Sequence, residues 1–240
     1  MAKKTNKKKT TKTSFGRRIW QYTYRTILIL WLLSILHVII LKYVPIYFTP
    51  LMALRTCQSI FEGKAPRNDK TWIPIEQISH NLVVACIASE DNLFLKHKGF
   101  SERAIRQALI ERLEGKRIRG GSTISQQTAK NVFTFCSRTW FRKGVETYYT
   151  ILIELIWGKE RIMEVYLNIV ELGDGIYGAE AASRHYWGIP ANKLSKSQSA
   201  LMVAALPNPL HYSITRPGPY MQKRQRQILD LMPKMGKIEF

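Results

Sequence analysis

Gly120-Gly121-Ser122-Thr123-Ile124-Ser125-Gln126-Gln127-Thr128-Ala129-Lys130-Asn131 runs from a double glycine into a hydroxyl pair, then two amides, then a lysine one helical turn on. Thr123 and Gln126 stand at capping-box spacing, which opens a helix through about Phe133. Free N–H groups and the positive end of the dipole make such a helix start a candidate anion site. Gln127 and Lys130, three apart, share a face and can act on one ligand. On these residues alone an ordinary capped helix after a glycine turn explains the pattern equally well.

Around this stretch the chain reads as helical. From Pro74, Ile75, Ile78, Leu82, Val83, Cys86 and Ile87 recur at three- and four-residue steps. An amphipathic stretch over 101–115 uses Ala104, Ile105, Ala108, Leu109 and Leu113. Further helices are expected from Trp140 to Trp157, from Lys159 to Ile169 and over 179–186. Gly173, Gly175 and Gly178 mark a turn between the last two. Ser195 with Gln198 forms another capping box, leading into Pro207-Asn208-Pro209, and a last amphipathic segment covers 220–232. Residues 49–73, with Pro50, Gly63, Pro66, Asn68 and Asp69, read as a connector. No alternating pattern competes, so residues 74–240 read as one mainly helical domain.

The net charge of +20 first suggests nucleic acid, but residues 1–25 hold nine basic residues and no acid, and the remainder carries +11. An apolar run, Ile27 to Leu41, follows, broken only by Ser34 and His37. Fifteen helical residues span roughly 22 Å, short of a hydrocarbon core of about 30 Å. The run continues through Tyr43, Val44, Ile46 and Phe48, with Lys42 able to snorkel and aromatic residues on both flanks. No small-x-small cleavage site follows Leu41, which favours an uncleaved anchor over 26–48 rather than a signal peptide. The positive-inside rule then puts the tail in the cytoplasm and the domain on the far side, away from nucleic acid. Cys57, Cys86 and Cys136 cannot all pair and lack metal-ligand spacing.

Two more clusters could carry chemistry. Glu90 and Asp91 fall where the Pro74 helix runs out, opposing its dipole, followed by Phe94, His97 and Gly99. A base at the end of a rigid element is well placed for catalysis, although a lone Glu-Asp pair is more often a solvated turn. Arg138, Arg142, Lys143 and Glu146 form a cationic group in which Glu146 stands four and three residues from Arg142 and Lys143. Alone it reads as a surface ion pair.

In this order the three clusters resemble the motifs of the family 51 peptidoglycan glycosyltransferases. They read Glu90-Asp91-x-x-Phe94-x-x-His97-x-Gly99, then Gly120 to Asn131, then Arg142-Lys143-x-x-Glu146. Arg161-Ile162-x-Glu164-x-Tyr166-Leu167-Asn168, Gly175 to Ala182 and Ala204 to Pro209 complete the set. The likeness covers about residues 70–215, with Ser125 where the family commonly has Thr. No Ser-x-x-Lys or Lys-Thr-Gly follows, so a stand-alone form without a transpeptidase module is expected.

The resemblance implies a mainly α, lysozyme-like, two-lobed domain behind a single N-terminal transmembrane helix. Its substrates would be lipid II and a lipid-linked glycan, in the bacterial inner membrane, beside other cell-wall synthesis or division proteins. It implies Glu90 as general base, with Lys130, Arg138, Arg142 and Lys143 stabilising the leaving diphosphate. Gly121, Ser122, Thr123, Gln127 and Asn131 would position substrate, as would Asp91, Phe94 and His97. Glu146 would complete the catalytic group, by orienting it or by binding a divalent cation, Mg or Mn; no organic cofactor is expected. The rival reading is a membrane-anchored lysozyme-like lytic glycosidase with one catalytic acid.

Overall fold

The computed structural model describes residues 15–102, 106, 110, 113–115, 121–135 and 139–240. Within them the expectation of a mainly helical chain holds. The amphipathic stretch over 101–115 lies largely outside the described residues, as do Gly120, Cys136 and Arg138.

Helix α1 (Phe15–Tyr43) is long and apolar enough to cross a membrane, about 43 Å over its 29 residues. It starts earlier than the expected anchor, taking in part of the basic tail, and stops before Phe48. The stop has a local cause: Pro45 disfavours helical geometry at Val44. Helix α2 (Pro50–Phe61) then occupies what composition read as a connector. Pro50, which looked like a breaker, sits in the first turn where its missing N–H costs nothing, and the Thr49 hydroxyl caps Met52 N–H.

The expected Pro74 helix begins later, as α3 (His80–Glu90). Pro74 opens only a short 3-10 turn, Ile75–Gln77, and the chain is then pinned at Ser79, which bonds to Leu194 and Ala191 carbonyls. Helix α4 (Ile124–Phe133) has the capping box in full, with both Thr123 and Gln126 bonds made. Helices α5 (Trp140–Ile156), α6 (Gly158–Ile169), α7 (Ala179–Trp187), α8 (Lys196–Ala205) and α9 (Pro219–Leu231) lie within one residue of expectation where bounds were set. Gly158, at φ 79°, makes the break between α5 and α6.

Sequence periodicity missed a small sheet. Strands β1 (Asp69–Lys70), β2 (Glu171–Gly173) and β3 (Ile176–Tyr177) pair in the order β1-β3-β2, β1 parallel and β2 antiparallel to β3. Two or three residues are too few to show alternation.

The helices form two groups. α3 packs on α8 and α9, its Leu82–Ala88 wholly buried; α4 packs on α5 and α6. The lower part of α1 joins the second group. Ser34 Oγ meets Tyr148 Oη at 2.7 Å, and Trp157 Nε1 donates to Val38 O at 2.8 Å. Arg161 Nη2 donates to Leu41 O and Val44 O at 2.8 and 2.6 Å, satisfying carbonyls at the end of α1. Its guanidinium lies 5.0 Å from the Trp72 ring centroid.

Candidate active site

Glu90 is the last residue of α3 and therefore reaches from the first helix group toward the second. Its Oε2 accepts from Gln127 Nε2 on α4 at 3.1 Å, and its Oε1 from Ser89 Oγ at 3.3 Å. Gln127 is oriented from behind: Tyr166 Oη donates to its Oε1 at 3.4 Å, which leaves the amide nitrogen facing Glu90. Tyr166 is wholly buried, and burial first, then the Glu90, Cys86 and Asp91 charges, raise its pKa well above the usual tyrosine value. It therefore stays a donor at every ordinary pH.

The start of α4 differs from expectation. Asp91 Oδ2 accepts the Ile124 N–H at 3.1 Å, and both Asp91 oxygens accept from His97 Nε2 at 2.9 and 2.8 Å. His97 Nδ1 accepts the Gly99 N–H at 3.1 Å, which assigns the neutral ring its proton on Nε2. The Asp91 and His97 side chains are 3% and 9% exposed, and Phe94 is wholly buried under Lys159. Thr123 is buried too, donating to Gly99 O at 2.7 Å. Asp91, Phe94, His97 and Thr123, expected to touch substrate, stand within the frame that locks the Glu90 loop onto α4. The helix N-terminus is not open to a ligand anion, because a carboxylate of the chain occupies it. The hydroxyl that Ser125 retains donates to Glu154 Oε1 at 2.5 Å, within the same frame.

Beyond Gln127 a cavity of about 360 Å³ opens along the far end of α4. Lys130 and Asn131 line it from α4, Arg142 from α5, and Phe135, Leu206 and Pro209 add apolar surface. Gly121 and Ser122 lie at the other end of α4, half-buried and exposed, with Ser122 O 3.5 Å from Gln127 Nε2. Arg142 and Lys143 sit in the first turns of α5, where the helix dipole adds to their charge. Glu146 offsets them from below: its Oε2 accepts from Arg142 Nη1 at 2.7 Å and its Oε1 from Lys143 Nζ at 2.5 Å. With its own side chain 3% exposed, it fixes both cations, of which Arg142 lines the cavity.

This donor set does not fit Mg or Mn. A hard divalent cation needs carboxylate oxygens free to ligate it, and both of those on Glu146 are engaged by cations. Among the described residues no group of three His, Cys, Asp or Glu side chains could hold a metal. The orienting role expected of Glu146 is the one its contacts suit.

Two cleft residues escaped the sequence reading. Arg55 on α2 and Glu171 on β2 line the same cavity and pair at 3.0 and 3.1 Å. They lie outside the motifs; each is the single charge of its segment, Pro50–Phe61 or Glu171–Gly173.

The later motifs build the frame. Asn168 bonds to both the N–H and the carbonyl of Ile73, at 3.0 and 2.9 Å. Gly178, at φ 81°, passes so near Asn168 that a Cβ would stand 2.6 Å from its carbonyl oxygen. Glu180 accepts the Ala191 N–H at 2.7 Å.

The family model described as transglycosylase matches residues 57–233. Among relatives named biosynthetic peptidoglycan transglycosylase, one from Bacteroides thetaiotaomicron is 47% identical over 226 residues, covering 93% of this chain and 91% of its own. One from Caulobacter vibrioides is 48% identical over 191 residues, covering 80% and 81%. One from Pseudomonas aeruginosa is 43% identical over 229 residues, covering 95% and 96%.

Proposed function

The chain belongs to the transglycosylase family, and from that membership and its cleft we propose how it acts as a peptidoglycan glycosyltransferase. It polymerises lipid II into the β-1,4-linked glycan strands of peptidoglycan. The observation that carries the assignment of roles is the Gln127 bridge. It joins a carboxylate at the end of α3 to the helix whose next turn presents Lys130 and Asn131 to a cationic cavity.

In this reading Glu90 takes the proton from the 4-hydroxyl of the acceptor sugar. The freed oxygen pair attacks the anomeric carbon of the donor, the bond to the lipid diphosphate breaks, and the electron pair leaves with the diphosphate. Attack from the face opposite the leaving group inverts the configuration. Lys130, Arg142 and Lys143 stabilise the charge that develops on the diphosphate. Arg138 joins them in the sequence motif but lies outside the described residues. Gln127 holds Glu90 in place, and Glu146 keeps Arg142 and Lys143 pointed at the cleft. A lytic glycosidase would have no use for so many cations beside its acid.

The same reading sets the enzyme in the bacterial inner membrane, basic tail in the cytoplasm and cleft in the periplasm, beside other cell-wall synthesis or division proteins. The charge asymmetry across α1 supports that orientation. Conversion of labelled lipid II to polymer by the purified full chain tests the function. Absence of polymer, together with digestion of finished, lipid-free peptidoglycan, would replace it with the lytic reading.

A further inference from the structure

We propose that Arg55 is a further substrate-binding residue, meeting the diphosphate of the lipid-linked donor from the α2 wall of the cleft and handed to it by Glu171. The proposal rests on the reading of the 360 Å³ cavity as the diphosphate subsite.

Arg55 lines that cavity together with Lys130 and Arg142, although it comes from the helix just after the membrane anchor. Leu51, one turn before it on the same face of α2, lines the cavity too. An apolar side chain followed by a guanidinium matches the order of a prenyl chain and its diphosphate. A guanidinium also reads phosphate oxygens through a fork of donors.

At rest that fork lies on Glu171, Nε to Oε1 at 3.0 Å and Nη2 to Oε2 at 3.1 Å, with side chains 30% and 7% exposed. A carboxylate so buried is costly unless it keeps a donor. Tyr177 can supply the second one. It is the direct cross-strand partner of Glu171, and its buried hydroxyl faces that carboxylate without closing a well-formed hydrogen bond to it. Burial, then the Glu171 charge, raise its pKa, so the hydroxyl keeps its proton. When the diphosphate enters, Arg55 turns to it and the Tyr177 hydroxyl donates to Glu171. When the lipid diphosphate leaves, the guanidinium returns. A hydroxyl poised beside a buried ion pair thereby gains a use. Sharing Arg55 between two anions also keeps the grip loose enough for product release.

Farnesyl diphosphate, a short prenyl diphosphate, serves as the probe, read as its inhibition constant against lipid II polymerisation by the full chain in detergent. The paired variant Arg55→Gln/Glu171→Gln leaves no stranded carboxylate. It should raise the constant at least tenfold while the inhibition by farnesol, which lacks the diphosphate, stays as in wild type. Tyr177→Phe should raise it about threefold. Arg55→Lys keeps a cation for Glu171 but loses the fork, and should raise it at least threefold; it decides the matter if the paired variant fails to fold. Wild-type constants for the paired variant, or for Arg55→Lys in that case, overturn the proposal. Lys130→Met separates the two readings. If it weakens farnesyl diphosphate and the Arg55 variants do not, only the role of Arg55 falls. If none of them does, the cavity is not the diphosphate subsite.

Discussion

Asp91 Oδ2 accepts the backbone N–H of Ile124 at 3.1 Å, so the anion at the N-terminus of α4 is part of the protein. The residue after Glu90 is thereby bolted to the helix that carries Gln127. Asp91→Ala removes the acceptor of both Ile124 N–H and His97 Nε2 in a buried place. A loss of about 2–3 kcal/mol is expected, lowering the melting temperature by roughly 5–10 °C for a chain of this size. Asp91→Asn, which keeps one acceptor, should lose less. Thermal melting in detergent checks both, and equal melting points for the two would refute the arrangement.

Glu90→Gln tests catalysis apart from folding. The amide is the same size and can still accept from Gln127, so the melting point should stay within about 2 °C. Polymerisation should fall by roughly 10²–10⁴-fold, the usual contribution of a general base. Gln127→Ala, which frees the carboxylate without removing it, should cost about tenfold. Turnover of labelled lipid II at the wild-type rate by Glu90→Gln would end the assignment.

Glu146→Ala should hurt both stability and rate, because it strands Arg142 and Lys143 at the dipole-positive end of α5. About 1–3 kcal/mol of stability and at least tenfold in rate are expected to go. Glu146→Gln, still able to accept one hydrogen bond, should retain more of each. Since cations already hold both carboxylate oxygens, added Mg or Mn should shift the melting point of wild type and Glu146→Gln equally. A metal response lost only in the variant would show that Glu146 ligates the ion.

Lys70 provides a pH signature. Burial lowers its pKa from 10.5 to about 8, where its ammonium donates to Ile46 O and lies near the Trp72 ring. Between about 8 and 10.5 the unfolded chain holds a proton that the folded chain has lost, so this residue makes stability rise with pH across that window. Below it both states are charged and the burial cost is felt in full. Cys86 and Tyr166, both raised by burial, act in the opposite sense at high pH. The informative quantity is therefore the melting point of wild type minus that of Lys70→Met, which should rise from pH 7 to pH 10. A flat difference would contradict the lowered pKa.

Much of this is legible in the sequence itself. Thr123 with Gln126 and Ser195 with Gln198 announce helix starts because a capping box is a contact over three residues. Such local bonds leave a local trace. What stayed hidden has the opposite origin. Asp91 looked like an acid facing the wrong end of its own dipole, since the N–H it serves lies 33 residues later. Arg55 and Glu171 are 116 residues apart, and neither has a neighbour in sequence that hints at the other. Thr123 could be seen as a cap but not as a donor to Gly99, which depends on how the Glu90 loop folds back. Periodicity reports which face is buried, not which distant partner shares the burial.

The bonds from Tyr148, Trp157 and Arg161 to the lower part of α1 make the anchor a mast stepped into the hull rather than a tether. A domain on a slack leash samples many heights and tilts, and must find its lipid-borne partners anew each time. Here height and tilt are built in: with α1 set across a bilayer, the cleft would stand at one level and one angle to it. Each lipid-borne diphosphate would then meet the cleft at the same depth, and no turn of the domain would have to be waited for.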